Sequence, residues 1–367
     1  MRARDLGILI GTLPPGSLNA ITDVPGVRVG HTTLIEGDGP LVVGKGPIRT
    51  GVTVILPHEG DPGRDPVFAA SHTLNGNGEM TGLEWVRDSG LLTTPIGLTN
   101  THSVGVVRDA LVAASVAGRK EVGIWSLPVV AETWDGYLND VNGQHVRPEH
   151  VFAALEAATS GPVAEGNAGG GTGMKAFAFK AGIGTASRRV GEEHGGYTVG
   201  VLVQANHGRR ERLVIDGVPV GREISRDEIP GPDLPAPDAG SIIVVVATDA
   251  PLLPQQCRRL AERAGLGLAR GGGGGENDSG DIFLAFATGN RTLGAEDEEN
   301  APVARPLQML NDDHVSELFW AAIEATEEAI LNSMIAAETM VGRDGITFHA
   351  LPHDRLVEVM RSYGRLS

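Results

Sequence analysis

The chain has 367 residues and a mass of 38.3 kDa, with 41% hydrophobic and 21% charged residues. That suits one large α/β domain or two to three smaller units and excludes a disordered chain. A surplus of 46 acidic over 30 basic residues, net −16, excludes an electrostatic grip on nucleic acid or anionic membrane, and the single cysteine, Cys257, excludes internal disulfides and multi-thiolate metal sites.

The N-terminal apolar segment is short, broken by Gly7 and Gly11, and lacks a small-x-small cleavage site. No run approaches the roughly 18 apolar residues of a membrane span, so a mature cytoplasmic protein is expected. Residues 51–57 read as a first strand, Val107–Ala117 as a helix, and Val122–Leu127 as a second strand. Strands follow at Met174–Ala181 and Tyr197–Gln204. Residues 226–240 hold four prolines and several acids without periodicity, which predicts an exposed, extended loop. The loop stops abruptly at Ser241–Thr248, a strongly apolar strand, so the dipeptide Gly240-Ser241 joins solvated chain to buried strand. Beyond it come a helix over Pro251–Ala264 and a second strong strand, Asp281–Thr288. From Asp312 and Asp313, expected as N-caps, an apolar stripe runs through Val315, Leu318, Phe319, Ala322, Ile323, Ala329, Ile330 and Met334 toward Gly342. Strands and helices mix without regular βαβ alternation. Packed sheets covered by helices fit better than a doubly wound parallel sheet.

Most short motifs fail on their own chemistry. Residues 76–82 have one residue too many for a dinucleotide fingerprint, and Met174 separates glycine from Lys175 in the only stretch resembling a phosphate loop; tight turns and close backbone approach explain both. The eleven histidines show no His-Glu-x-x-His, and a helix N-terminus explains Asp312-Asp313-His314 better than a metal does. There is no Gly-x-Ser-x-Gly elbow. Cys257 reads as a buried structural thiol. Ser279 and Asp281 bracket Gly280 and can face one cleft, although a turn entering a strand reads equally well. Asn206 ends a strand, where a turn asparagine is the default.

Several of these stretches, taken together, resemble one family, the DmpA-type aminopeptidases, which include the L-aminopeptidase/D-esterase and the β-peptidyl aminopeptidases. The matching segments are Ile21-Thr-Asp-Val-Pro-Gly-Val-Arg-Val-Gly-His31, Leu74-Asn-Gly-Asn-Gly-Glu79, Glu132-Thr-Trp-Asp-Gly136, and Glu165-Gly-Asn-Ala-Gly-Gly-Gly-Thr-Gly-Met174. Gly200-Val-Leu-Val-Gln-Ala-Asn206, Asp238-Ala-Gly-Ser-Ile-Ile243 and Ser279-Gly-Asp-Ile-Phe283 continue the series in order over almost the whole chain.

The resemblance implies a single αββα domain, a four-layer sandwich of two mainly antiparallel or mixed sheets between helix layers. It implies self-cleavage between Gly240 and Ser241 into an α subunit of residues 1–240 and a β subunit of residues 241–367. Ser241 would then be an N-terminal nucleophile, with Ser279 and Asp281 completing the relay and Asn206 stabilising the oxyanion. Glu132 would hold the substrate's free amino group. Trp134 stands where relatives carry a tyrosine, so that hydroxyl is absent or supplied by Tyr137, and the indole narrows the pocket. Short peptides, amides or esters are the implied substrates, with no metal or cofactor, and the implied assembly is a tetramer of αβ heterodimers. An unprocessed amine- or peptide-binding relative, or an acyltransferase using the same acyl-enzyme, would share these residues. The resemblance does not decide whether the α-amine or the Ser279/Asp281 pair is the base.

Overall fold

Alternation of side chains along the strands sorts this chain into layers. The structure is a computed structural model that describes residues 1–117, 119, 124–232, 240–294 and 302–366. In chain order its main elements are β1 (Arg28–Glu36), β2 (Ile48–Leu56), β3 (Val67–Gly76), α1 (Leu83–Ser89), β4 (Leu91–Leu92) and β5 (Ile96–Asn100). Next come α2 (Val104–Val116), β6 (Val129–Thr133), α3 (Pro148–Glu156), β7 (Lys175–Ala176), β8 (Phe179–Lys180), β9 (Ile183–Arg189) and β10 (Thr198–Asn206). The C-terminal part holds α4 (Val220–Glu223), β11 (Ser241–Thr248), α5 (Pro254–Arg270), β12 (Gly280–Ala287) and α6 (Val315–Ile335). A short hairpin of β13 (Met340–Val341) and β14 (Thr347–Phe348), then α7 (His353–Ser362), close the chain.

One sheet has the order β1-β2-β5-β6 and the other β4-β3-β12-β11-β10-β9. On β11, Ile242, Val244 and Val246 join the core beneath α5 and α6, while Ile243, Val245 and Ala247 join the core between the sheets. Strand β12 divides in the same way, with Phe283 and Ala285 toward the helices and Ile282 and Leu284 toward the facing sheet. Val52, Val54 and Val130 pack outward against α2 and α3. The result is the expected four-layer αββα sandwich with mixed sheets. Within it β11 and β12 pair in parallel, joined by α5, and β11 pairs antiparallel with β10.

Of the strand expected at Val122–Leu127, residues 122 and 123 lie outside the described residues, 124–127 have no strand pairing, and the strand of this region begins at Val129. The single strand expected at Met174–Ala181 is instead the tight hairpin β7–β8, because Phe177 and Ala178 both take positive φ, at 52° and 59°. Helix α5 starts three residues later than expected, with Pro254 in its first turn, and runs on to Arg270. Neither Asp312 nor Asp313 is an N-cap; the Asn311 side chain accepts from the Asp313 N–H at 3.1 Å to cap the preceding 3-10 turn. Of the proline-rich loop, residues 233–239 lie outside the described residues. No described helix is long and apolar enough to cross a membrane.

Helix α6 is buried on every side from Ala321 to Ile335, not along one stripe. The N-terminal segment covers its outer face and engages Glu324, Glu328 and Asn332 there. Glu324 accepts from the Thr12 and Leu13 main-chain N–H groups at 2.9 and 3.0 Å. The fully buried Arg188 donates to Glu324 at 3.2 Å and to Glu328 at 2.6 Å, and Arg4 donates to Glu328 at 2.9 Å. Removing one side of such a network strands the remaining charges in a low-dielectric interior. Arg188→Ala is expected to lower stability by about 3–5 kcal/mol, measured as a shift of the urea unfolding midpoint, while Arg189→Ala, on the more exposed neighbour, shifts it little.

Candidate active site

The antiparallel register of β10 with β11 sets Asn206 opposite Ser241, and the parallel register of β11 with β12 sets Ile242 opposite Asp281. The end of one strand and the starts of two others therefore meet at one end of the sandwich. Ser241 shares the pleat side of Ile243 and Val245, so its side chain faces the gap between the sheets. There a cleft of about 490 Å³ is lined by Ser241, Gly240, Asn206, Glu132, Trp134 and Tyr137, with Asn77, Gly78, Glu79, Thr101 and Asp278 completing its walls. A larger hollow, about 730 Å³ around Arg209, Arg212 and Arg222, contains none of the expected site residues.

Ser241 is 7% exposed, and its Oγ accepts the Gly280 main-chain N–H at 3.1 Å. Gly280 is fixed by crowding: a Cβ there would lie 2.5 Å from the Asn77 carbonyl oxygen and 2.7 Å from Gly78 Cα. A Cβ on Gly240 would fall 1.7 Å from the Asn206 carbonyl oxygen, so only glycine lets the chain enter β11 along this path.

The Asn206 amide is oriented by its neighbours. Its Oδ1 accepts from the Lys175 N–H at 3.2 Å and its Nδ2 donates to the Trp134 carbonyl at 3.0 Å, which leaves the second Nδ2 hydrogen for the cleft. Gln204, two residues earlier on the same face, donates to the Thr99 carbonyl at 2.8 Å and ties this strand to the facing sheet.

Glu132 lies on β6 at 4% exposure. Its carboxylate accepts the Glu79 main-chain N–H at 3.0 Å and the Thr101 hydroxyl. Burial raises its pKa above the usual carboxylate value, opposed by those two donors. Trp134, 38% exposed, meets the Tyr137 ring edge-on at 4.7 Å, so both expected aromatics stand on one wall.

Ser279 and Asp281 are brought together, with the Ser279 Oγ donating to Asp281 Oδ1 at 2.6 Å. Neither lines the cleft. Asp281 shares the pleat side of Phe283, which packs beneath the helices, so the pair sits behind Gly280 on the backbone side of Ser241. Burial pushes the Asp281 pKa up to about 6; the Ser279 hydrogen bond and the nearby Ile242 N–H oppose the shift, and the charge of Glu276 adds to it.

Residue reading alone missed Glu79, Thr101 and Gly280 as parts of the site. The Leu74–Glu79 motif was the available signal for Glu79. The glycine turn at Gly169–Gly171 is packing, as expected: a Cβ on Gly170 would lie 2.2 Å from Gln204 Oε1. Burial likewise pushes the Cys257 thiol up, in keeping with a structural role. Among the described residues no cluster of three or more His, Cys, Asp or Glu is placed to hold a metal.

The raised Asp281 pKa gives a pH test of stability. The folded form holds its proton to a higher pH than the unfolded chain. Stability from this group is therefore present at low pH and is lost as pH rises from about 4 toward 6. In thermal unfolding of the uncut Ser241→Ala chain, adding Asp281→Asn should gain on its parent at pH 8 relative to pH 5.

Residues 19–348 match the family described as Peptidase family S58. The beta-peptidyl aminopeptidase BapA of Sphingosinicella microcystinivorans is 50% identical, over 100% of this chain and 93% of that protein. Among solved structures, a beta-aminopeptidase from Burkholderia sp. superposes with a TM-score of 0.90 at 55% identity, covering 99% of each chain. The L-aminopeptidase D-Ala-esterase/amidase of Ochrobactrum anthropi, described as a prototype of the serine aminopeptidases and a variant of the Ntn-hydrolase fold, superposes at 0.91 with 46% identity. It covers 100% of this chain and 99% of its own.

Proposed function

The chain belongs to peptidase family S58, as a serine aminopeptidase of the N-terminal-nucleophile class, and from this we propose that Ser241 is its nucleophile, freed by self-cleavage after Gly240. The observation that carries the reading is the single cleft in which Ser241, the Asn206 amide and the Glu132 carboxylate converge. Serine needs a base to become a nucleophile, and an α-amine with an ordinary pKa of roughly 7.7–8.0 is partly neutral near physiological pH.

In self-cleavage the Ser241 Oγ attacks the Gly240 carbonyl, the peptide nitrogen leaves as the new α-amine, and water releases Gly240 from the resulting ester. In turnover the α-amine takes the Oγ proton as Oγ adds to the substrate carbonyl, then passes it to the departing nitrogen. Water next hydrolyses the acyl-enzyme. The Gly280 N–H steadies Oγ, and the spare Asn206 N–H meets the oxyanion. Ser279 and Asp281 act on the amine side, since they sit behind Gly280 and not beside Oγ in the cleft.

Glu132 receives the substrate's N-terminal ammonium, which restricts cleavage to the first residue. The substrates are short peptides, amino-acid amides and esters, with β-residues at the N-terminus included because two of the relatives carry that activity in their names. The chain works as one αββα domain, and the processed units assemble as a homo-oligomer, a tetramer of αβ heterodimers in the cytoplasm by the resemblance.

Ser241→Ala is expected to give one uncut chain of 38.3 kDa without activity. Intact mass under denaturing conditions should show the parent protein as fragments 1–240 and 241–367, and a normally cut Ser241→Ala overturns the assignment. Asn206→Ala in the processed enzyme should lower kcat by about 10²–10³, with a smaller change in KM.

A further inference from the structure

The Gly76–Glu79 segment is pinned at both ends. The Asn77 N–H donates to the Ser279 carbonyl at 3.2 Å, its Nδ2 donates to the Asp278 carbonyl at 2.8 Å, and the Glu79 N–H donates to Glu132. Between these bonds the chain passes close to both walls, where a Cβ on Gly78 would sit 3.2 Å from Glu132 Oε1 and 3.1 Å from Gly280 Cα. The Glu79 side chain therefore starts from a fixed point beside Glu132. It lines the cleft, is exposed, and forms no ion pair among the described residues.

The charge of the cleft is one-sided. Glu79, Glu132 and Asp278 carry carboxylates, and among the described residues none lining it carries a basic side chain. One substrate ammonium matches the buried Glu132 and leaves Glu79 without a counter-charge. A second cation near the first would find it.

We propose that Glu79 is a specificity-determining residue, which pairs with a side-chain cation on the substrate's first residue, so that peptides beginning with an amine-bearing residue are preferred over neutral isosteres. The assignment rests on the aminopeptidase reading above. Two unit charges about 6 Å apart, in a dielectric between those of protein surface and water, correspond to roughly tenfold in affinity. Because Glu79 is exposed, added salt weakens the effect.

The test compares kcat/KM of the processed enzyme for matched peptides beginning with lysine or norleucine. The expected ratio is about tenfold at low ionic strength, falling toward one in high salt and in Glu79→Gln, and inverting in Glu79→Lys. The ratio is taken within each variant, so a general loss of activity cancels. A ratio near one in the parent enzyme, or an unchanged ratio in Glu79→Gln, overturns the role of Glu79 while cleavage of the norleucine peptide leaves the aminopeptidase reading standing. Failure of the processed enzyme to cleave either peptide overturns both.

Discussion

The parallel pairing of β11 with β12 is the constraint on which the site depends. It fixes Ser241 beside Gly280, so that a main-chain N–H reaches the Oγ, and it places the Ser279–Asp281 pair behind that contact. The antiparallel partner β10 fixes Asn206 from the other side. A slip of one residue in either ladder would turn Ser241 into the helix-side core and carry its hydroxyl out of the cleft. The geometry of the candidate site is thus set by backbone hydrogen bonds of central strands, which are stiffer than any loop.

The same pairing explains how a chain cut after Gly240 could keep its shape. Strands β11 and β12 lie in the middle of the six-stranded sheet, and their outer neighbours β10 and β3 come from the other side of the cut. Across that boundary Arg188 and Arg4 meet Glu324 and Glu328 in the interior, and the Ala3 N–H donates to the Asn332 side chain at 2.9 Å. Glu324 and Glu328, off the apolar stripe of α6, are the means by which the N-terminal segment is held against it.

The sequence was most legible where burial was two-sided. Ser241–Thr248 is a strand with the expected bounds, since continuous β-branched residues suit a strand covered on both faces. Strands such as Val67–Gly76 and Ile183–Arg189 escaped notice because they mix serine, histidine, threonine and arginine whose partners lie far along the chain. Ser187 Oγ, for example, donates to Asp23. The β7–β8 turn was invisible because positive φ at Phe177 and Ala178 is imposed by packing, with no glycine or asparagine to signal it. Of the candidate site, the family motifs named residues that the fold brings to one end of the sandwich. They could not say that Ser279 and Asp281 lie behind Gly280 and outside the cleft, since two residues apart along an extended chain share a face without revealing which face it is.

The electrostatics of the site have a common logic. Glu132 and Asp281 are both buried enough for their carboxyls to hold protons more tightly than usual, and both are supported by neutral donors, a hydroxyl and a main-chain N–H. Neutral donors relieve part of the desolvation cost without themselves neutralising the negative charge. In the proposed reaction each acid meets an amine: the substrate's at Glu132 and the newly freed α-amine of Ser241 near Asp281. A resident cation at either place would make the fold more comfortable at neutral pH and would compete with the amine that the proposal brings there. On that proposal, the destabilisation carried by these two acids and their selectivity for amines have one physical cause.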